Sequence, residues 1–225
     1  MNKILKILII ALGSIGVGIP IFSKGYNFFS LFYFTNQSNL LVVVVSAIFL
    51  YLETSGKEIK EGWHKLRFIA TNAISLTFLV FNLILMPSVI HSGHSSYLYS
   101  ANNLLLHNIV PLLMIVDYIL YGKKYPLNKI YLVYIYPISY LVLALLYNPV
   151  FGISFPEPGG PTPYFFLNYK ENGWFNVSGG FFKLGVVYWI IISLVIVFLI
   201  SLCLHGLSKI RFKKSQDNQE LVTEE

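Results

Sequence analysis

The stretch FFKLGVVYWIIISLVIVFLISLCLH, Phe181–His205, holds one lysine and no acid in 25 residues. Its apolar residues run on without alternation, and about 20 such residues are what a helix needs to cross the hydrocarbon of a bilayer. Outward from this stretch, five more runs of the same kind fill the chain: Ile4–Phe22, Leu31–Leu52, Phe68–Ile90, Asn102–Tyr121 and Ile130–Val150. Continuous apolarity over such lengths marks helices, since barrel strands are about 10 residues long and alternate. The expected fold is an all-α membrane protein: one bundle of six transmembrane helices over residues 1–206, then a charged cytoplasmic tail, 207–225, frayed from Lys209.

Composition points the same way. Of the 225 residues 56% are hydrophobic and 12% charged, whereas a soluble domain carries about a quarter charged residues. The connections leave no room for a separate soluble domain. A net charge of +6 is not a nucleic-acid signal, because the bases sit in short connections and sort by side. Lys3, Lys6, Lys57, Lys60, Lys65, Arg67, Lys123, Lys124, Lys129, Lys209, Arg211, Lys213 and Lys214 fall on one side of a six-span topology. Lys24, Lys170 and Lys183 fall on the other, and the two sets exhaust all 16 bases. Both termini are therefore expected in the cytoplasm. The lysines and apolar run at the N-terminus lack a small-residue cleavage pair, so they read as an uncleaved first span. Cys203 is the single cysteine, and no internal disulfide can form.

The segment Phe151–Gly180 is too rich in Pro and Gly for regular helix. It reads as the longest outer connection, either functional or a floppy hydrophobic loop. Neither a repeat nor the inverted symmetry of many transporters is visible.

Inside lipid the informative residues are polar, since each must find a partner or line a cavity. The second run opens with Phe34-Thr35-Asn36-Gln37-Ser38-Asn39, the third carries Thr71, Asn72, Ser75, Thr77 and Asn82, and the fourth Asn102, Asn103, His107, Asn108 and Asp117. Spans two and four run in the same direction, and Thr35 and His107 both fall about 6–8 Å below the outer end at 1.5 Å per residue. Asn82 falls in the same half. Thr35, Ser38 and Asn39 share a helix face, as do Asn103 and His107. A polar pocket in the outer half of the bundle follows. Pro111 cannot donate to the carbonyl of His107, so a kink with a free carbonyl is expected beside the imidazole. Asp117 lies about 15 Å deeper than His107; it cannot orient that ring, and a structural contact near the cytoplasmic end, or a pairing with Lys123 or Lys124, is expected instead.

A hydroxyl near a neutral imidazole can perform nucleophilic acyl transfer, with His as the base. Ser38, Asn39, Asn82 and Asn108 are the candidate substrate or oxyanion contacts. A buried histidine in a polar helix cluster also occurs as a satisfied structural residue, and Thr commonly joins helices by hydrogen bonds. His91, His94 and His107 could in principle hold zinc, but their Gly/Ser loop spacing is poor for it, and no metal or other cofactor is expected. Asn176-Val177-Ser178 matches a glycosylation acceptor incidentally.

Several segments in order carry a resemblance: Phe34-Thr35-Asn36-Gln37-Ser38-Asn39-Leu40, His107-Asn108-Ile109-Val110-Pro111 with Asp117 ten residues past the histidine, Tyr125-Pro126, Pro163-Tyr164-Phe165-Phe166-Leu167 and Gly173-Trp174. Together they resemble the bacterial six-span Pr-six-Pr proteins, relatives of the eukaryotic androgen-induced membrane hydrolases. The resemblance implies a plasma-membrane hydrolase of fatty acyl esters, with membrane lipids as surroundings and a lipid ester as substrate. The eukaryotic members cleave fatty acid esters of hydroxy fatty acids with a threonine nucleophile and a histidine. Matched by motif, those roles fall on Thr35 and His107. The run Asn36-Gln37-Ser38-Asn39 is a feature of the bacterial branch. The rival readings are a transporter, channel or lipid-binding protein whose polar cluster lines a site, and an accessory subunit whose polar residues join helices.

Overall fold

The computed structural model describes residues 3–23, 28–91, 93, 98–123, 125–156, 160–178 and 183–223, the stretch 209–223 by backbone alone. Lys24, Ser92, His94, Lys124 and Glu157 lie outside the described residues. Six helices are long and apolar enough to cross a membrane: α1 (Lys3–Phe22), α2 (Phe34–Thr54), α3 (Glu61–His91), α4 (Ala101–Tyr121), α5 (Leu127–Phe151) and α6 (Val186–Thr223), apolar as far as Ser208. Among the described residues there is no strand, only an isolated bridge between Phe155 and Gly160. The chain is an all-helical, multi-pass membrane protein, as its hydropathy predicts.

Three boundaries differ from the hydropathy reading. The second span does not begin at Leu31: a 3-10 turn covers Phe28–Phe32, Tyr33 is extended, and α2 starts at Phe34. That break puts Thr35 in the first turn of its helix. α3 starts at Glu61, ahead of its apolar run, because Trp63 and Leu66 turn inward onto the Val42, Phe49 and Ile74 cluster. α6 continues to Thr223 instead of fraying at Lys209, in keeping with the strong helix propensity of the Lys, Arg, Gln, Glu and Leu residues there.

α3 is the hub of the bundle, packed against α2, α4, α5 and α6, while α1 lies against α2 and α4. The close approach of α1 requires glycine: a Cβ on Gly13 would stand 2.5 Å from the Val43 side chain, and one on Gly16 2.9 Å from Leu106. Small residues of this kind let membrane helices gain dispersion contact where no hydrophobic drive exists between them.

Two π-turns interrupt the helices, at Phe81–Leu85 in α3 and Leu105–Ile109 in α4. In each, the closing N–H reaches five residues back, Met86 to the Phe81 carbonyl and Val110 to the Leu105 carbonyl. The next residue in both is a proline, Pro87 and Pro111. A proline supplies no N–H to continue the ladder, and an inserted residue is one way a helix absorbs the defect.

The end of the bundle near Thr35 is roofed by the connection between α5 and α6. This segment is ordered by aromatic packing: Phe155 lies against Phe29, Tyr33 and Tyr147 at ring separations of 5.0, 5.6 and 5.7 Å. It contains a 3-10 turn, Phe165–Leu167, and a short helix, Tyr169–Asn172. Its far end is tied to α6 by backbone hydrogen bonds from Gly185, Val186 and Val187 to the carbonyls of Asn176, Gly173 and Trp174. Asn176 folds its side chain onto Ser178, accepting from the Ser178 N–H at 2.9 Å and its hydroxyl at 2.6 Å.

At the opposite end, Asp117 is buried in a structural polar contact, one of the two roles expected of it; the alternative partner Lys123 is engaged elsewhere, and Lys124 lies outside the described residues. Its carboxylate takes a hydrogen bond from Arg67 of α3 and meets Lys6 of α1 at 3.5 Å. Lys6 also meets Glu53 of α2 at 3.4 Å. Arg67 donates further to the carbonyls of Asp117 and Tyr121, capping the C-terminus of α4, and stacks over Phe49 at 4.9 Å. Lys123 pairs with Glu61 at 2.6 Å on the surface. Hydropathy hid Lys6 and Arg67 because both lie near span ends, where a base normally faces water.

Candidate active site

α2 and α4 touch, and at their contact the Thr35 hydroxyl lies 3.3 Å from His107 Nε2. Both side chains are buried, at 7% and 8% exposure. The other imidazole nitrogen, Nδ1, sits 3.2 Å from the Asn103 carbonyl one turn back. A carbonyl can only accept, so Nδ1 carries the hydrogen and Nε2 presents its lone pair to the threonine. This is the tautomer a general base needs. The ring plane is held by Phe81, stacked on it with centroids 3.9 Å apart at 20°.

The two π-turns build this arrangement together. Phe81 and Asn82 on one face His107 and Asn108 on the other: the first pair stacks, and Asn82 donates to Asn108 Oδ1 at 3.1 Å. A loose carbonyl beside the imidazole is found at Leu106, one residue before His107. Because Val110 bonds to Leu105 and Pro111 has no N–H, Leu106 lacks a backbone donor, and Asn39 Nδ2 supplies one at 2.9 Å. The second Nδ2 hydrogen of Asn39 goes to the Thr35 carbonyl at 2.8 Å. Asn39 therefore pins the Thr35 turn of α2 to the defect in α4. Ser38 touches the Thr35 carbonyl at 3.1 Å and Thr77 of α3 at 2.7 Å.

The residues expected to surround the dyad are thus brought to one end of the bundle, but Asn39 and Asn82 have their amide hydrogens engaged, and Asn108 meets Asn82 as an acceptor. Both Asn82 hydrogens are used, on Phe78 O and on Asn108. Asp117 takes no part, lying in the ion cluster at the other end. Among the described residues no group of three His, Cys, Asp or Glu side chains stands close enough to hold a metal ion.

Thr35 forms part of the wall of a cavity of about 80 Å³. Phe34 of α2, Leu76, Thr77 and Val80 of α3, Pro137, Ile138 and Leu141 of α5, and Ile190 and Leu194 of α6 line it, with Tyr164 and Phe166 from the roof. The lining is almost wholly apolar. Ile138, one of the lining residues, is also 43% exposed on the helical surface, and α5 and α6 pack on each other mainly through the first turns of α5.

The roof brings one polar group to the site. The Tyr164 phenol oxygen accepts from the Thr35 backbone N–H at 3.3 Å. That N–H belongs to the first turn of α2, where no intrahelical acceptor exists. Burial pushes the Tyr164 phenol up to about 12, keeping it protonated. Phe81, the Asn103 carbonyl and Tyr164 were not reached by reasoning from polar residues in spans. A signal for Phe81 exists in the matched positions of Pro87 and Pro111; Tyr164 left only its place in the Pro163-Tyr164-Phe165 motif. Comparison with protein-family models, curated proteins and solved structures finds no match to this chain.

Proposed function

We propose that the protein is an intramembrane hydrolase of fatty acyl esters, with Thr35 as nucleophile and His107 as base and then acid. One observation carries the reading: a threonine hydroxyl 3.3 Å from an imidazole nitrogen whose partner nitrogen is fixed on a carbonyl. Catalytic hydrogen bonds commonly stand slightly long before substrate arrives. The cavity supports this substrate class. Its apolar walls suit an acyl chain, its exposed Ile138 edge admits one laterally from the bilayer, and Thr35 stands at its wall. The ordered motifs shared with the Pr-six-Pr proteins support the same chemistry. The distribution of bases supports a site in the outer leaflet half with both termini in the cytoplasm.

The test is labelling of the purified protein by a fluorophosphonate, with hydrolysis of a fatty acyl ester followed in parallel. Thr35→Ala and His107→Ala each abolish both signals. Robust labelling of the two variants sinks the assignment, and a solute flux in liposomes that survives loss of Thr35 favours a transporter in its place.

A further inference from the structure

An ester hydrolase must stabilise the charge that develops on the carbonyl oxygen, and the amides flanking Thr35 are engaged elsewhere. Asn39 gives both hydrogens to carbonyls, Asn82 gives its two to Phe78 and Asn108, and neither lines the cavity. Five hydroxyls do line it: Thr35, Thr77, Tyr140, Tyr164 and Ser193. Tyr140 donates to the Phe32 carbonyl at 2.9 Å and Ser193 to the Trp189 carbonyl at 2.8 Å. Thr77 is tied to Ser38 and the Ala73 carbonyl. Thr35 is turned to His107 Nε2, and of the other four only Tyr164 is given no carbonyl acceptor; its hydroxyl is bordered by Thr35 and Tyr140.

Resting on the hydrolase reading, we propose that Tyr164 is a third catalytic residue, whose phenol O–H donates to the oxyanion of the tetrahedral intermediate formed on Thr35. Its oxygen is already placed against the nucleophile's own N–H. A donor one hydrogen bond from the nucleophile's backbone lies within reach of an oxygen two bonds from the nucleophilic atom. Accepting from the Thr35 N–H also polarises the phenol and strengthens it as a donor. The first turn of α2 adds a field that favours negative charge at this point. The ring cannot swing away easily, being stacked on Phe166 at 5.2 Å and set edge-on to Tyr33 at 5.9 Å.

The step balances on these groups. His107 Nε2 takes the Thr35 proton, Oγ1 bonds to the ester carbonyl carbon, and the carbonyl π pair moves to oxygen, where Tyr164 donates without losing its proton. Collapse restores the carbonyl, breaks the bond to the alkoxide, and delivers the Nε2 proton to that leaving group. Water then gives a proton to Nε2 and its oxygen to the acyl carbon. The second collapse expels Thr35, which recovers the proton, and frees the fatty acid.

The experiment is Tyr164→Phe in the full chain, purified in detergent, with 4-nitrophenyl octanoate as probe. The expected result is kcat lower by about 10²–10³-fold, the loss typical of one oxyanion donor. KM should stay within about twofold and the thermal unfolding midpoint should not move, because the ring and its packing remain. Wild-type kcat in this variant overturns the role of Tyr164 and leaves the hydrolase standing. A fall in the midpoint, or an effect confined to KM, makes Tyr164 a structural or binding residue and also overturns it. Absence of Thr35-dependent turnover in the wild type defeats both readings.

Discussion

The two ends of the bundle each bury a polar cluster, and they do so in opposite ways. At one end Lys6, Glu53, Arg67 and Asp117 come from four different helices and cancel one another's charge. At the other end Thr35, Ser38, Asn39, Thr77 and His107 are uncharged side chains bridging α2, α3 and α4, and a cavity opens beside them. The first is what a fold does with charge it must keep in a low dielectric: pair it and cap helix ends with it. The second keeps a lone pair aimed at a hydroxyl, an arrangement helix joining does not require. Burial and polarity alone do not separate structure from chemistry in a membrane; the cavity beside Thr35 and the carbonyl on His107 Nδ1 are what set the second cluster apart and support the proposed hydrolase.

The contrast can be broken most sharply at the dyad. Under the proposed hydrolase reading, Thr35→Ala or His107→Ala should lower ester hydrolysis by at least about 10³-fold, since a nucleophile and its base fail as a unit. Neither should move the unfolding midpoint much, and steady-state rates beside thermal melts check both halves. The converse holds for Asp117→Ala, which leaves Lys6 and Arg67 buried without their shared carboxylate. Loss of one partner from a buried pair costs about 3–5 kcal/mol, read as a large fall in folded yield and melting temperature. Turnover per folded molecule should remain that of the wild type.

A smaller effect probes the link between α2 and α4. Pro111→Ala returns an N–H to α4, which competes with Asn39 for the Leu106 carbonyl and lets the π-turn relax. A displacement of His107 by about 1 Å should cost on the order of 10²-fold in kcat, with the melt little changed; kinetics unaltered from the wild type would show that the bulge does not position the base. Smallest of all is Glu61→Gln, which removes the exposed partner of Lys123. Surface pairs contribute little, so neither melting nor turnover should respond.

The amino-acid sequence by itself determined the six spans, because length and continuous apolarity decide what can enter a bilayer whatever the packing. It also singled out Thr35 and His107, through polar residues at matched depth in parallel spans. Asp117's partners were not legible, since Lys6 and Arg67 read as ordinary flanking bases until helix packing turned them inward. Nor was the allocation of donors: an amide such as Asn39 looks available in sequence, and only the contact with Leu106 removes it. The carbonyl on Nδ1, the ring of Phe81 and the reach of Tyr164 from a distant connection depend on two helix defects meeting in space and on an aromatic roof folding over them. Local sequence fixes which groups a span carries; which hydrogen bonds they are left free to make is settled by neighbours far along the chain.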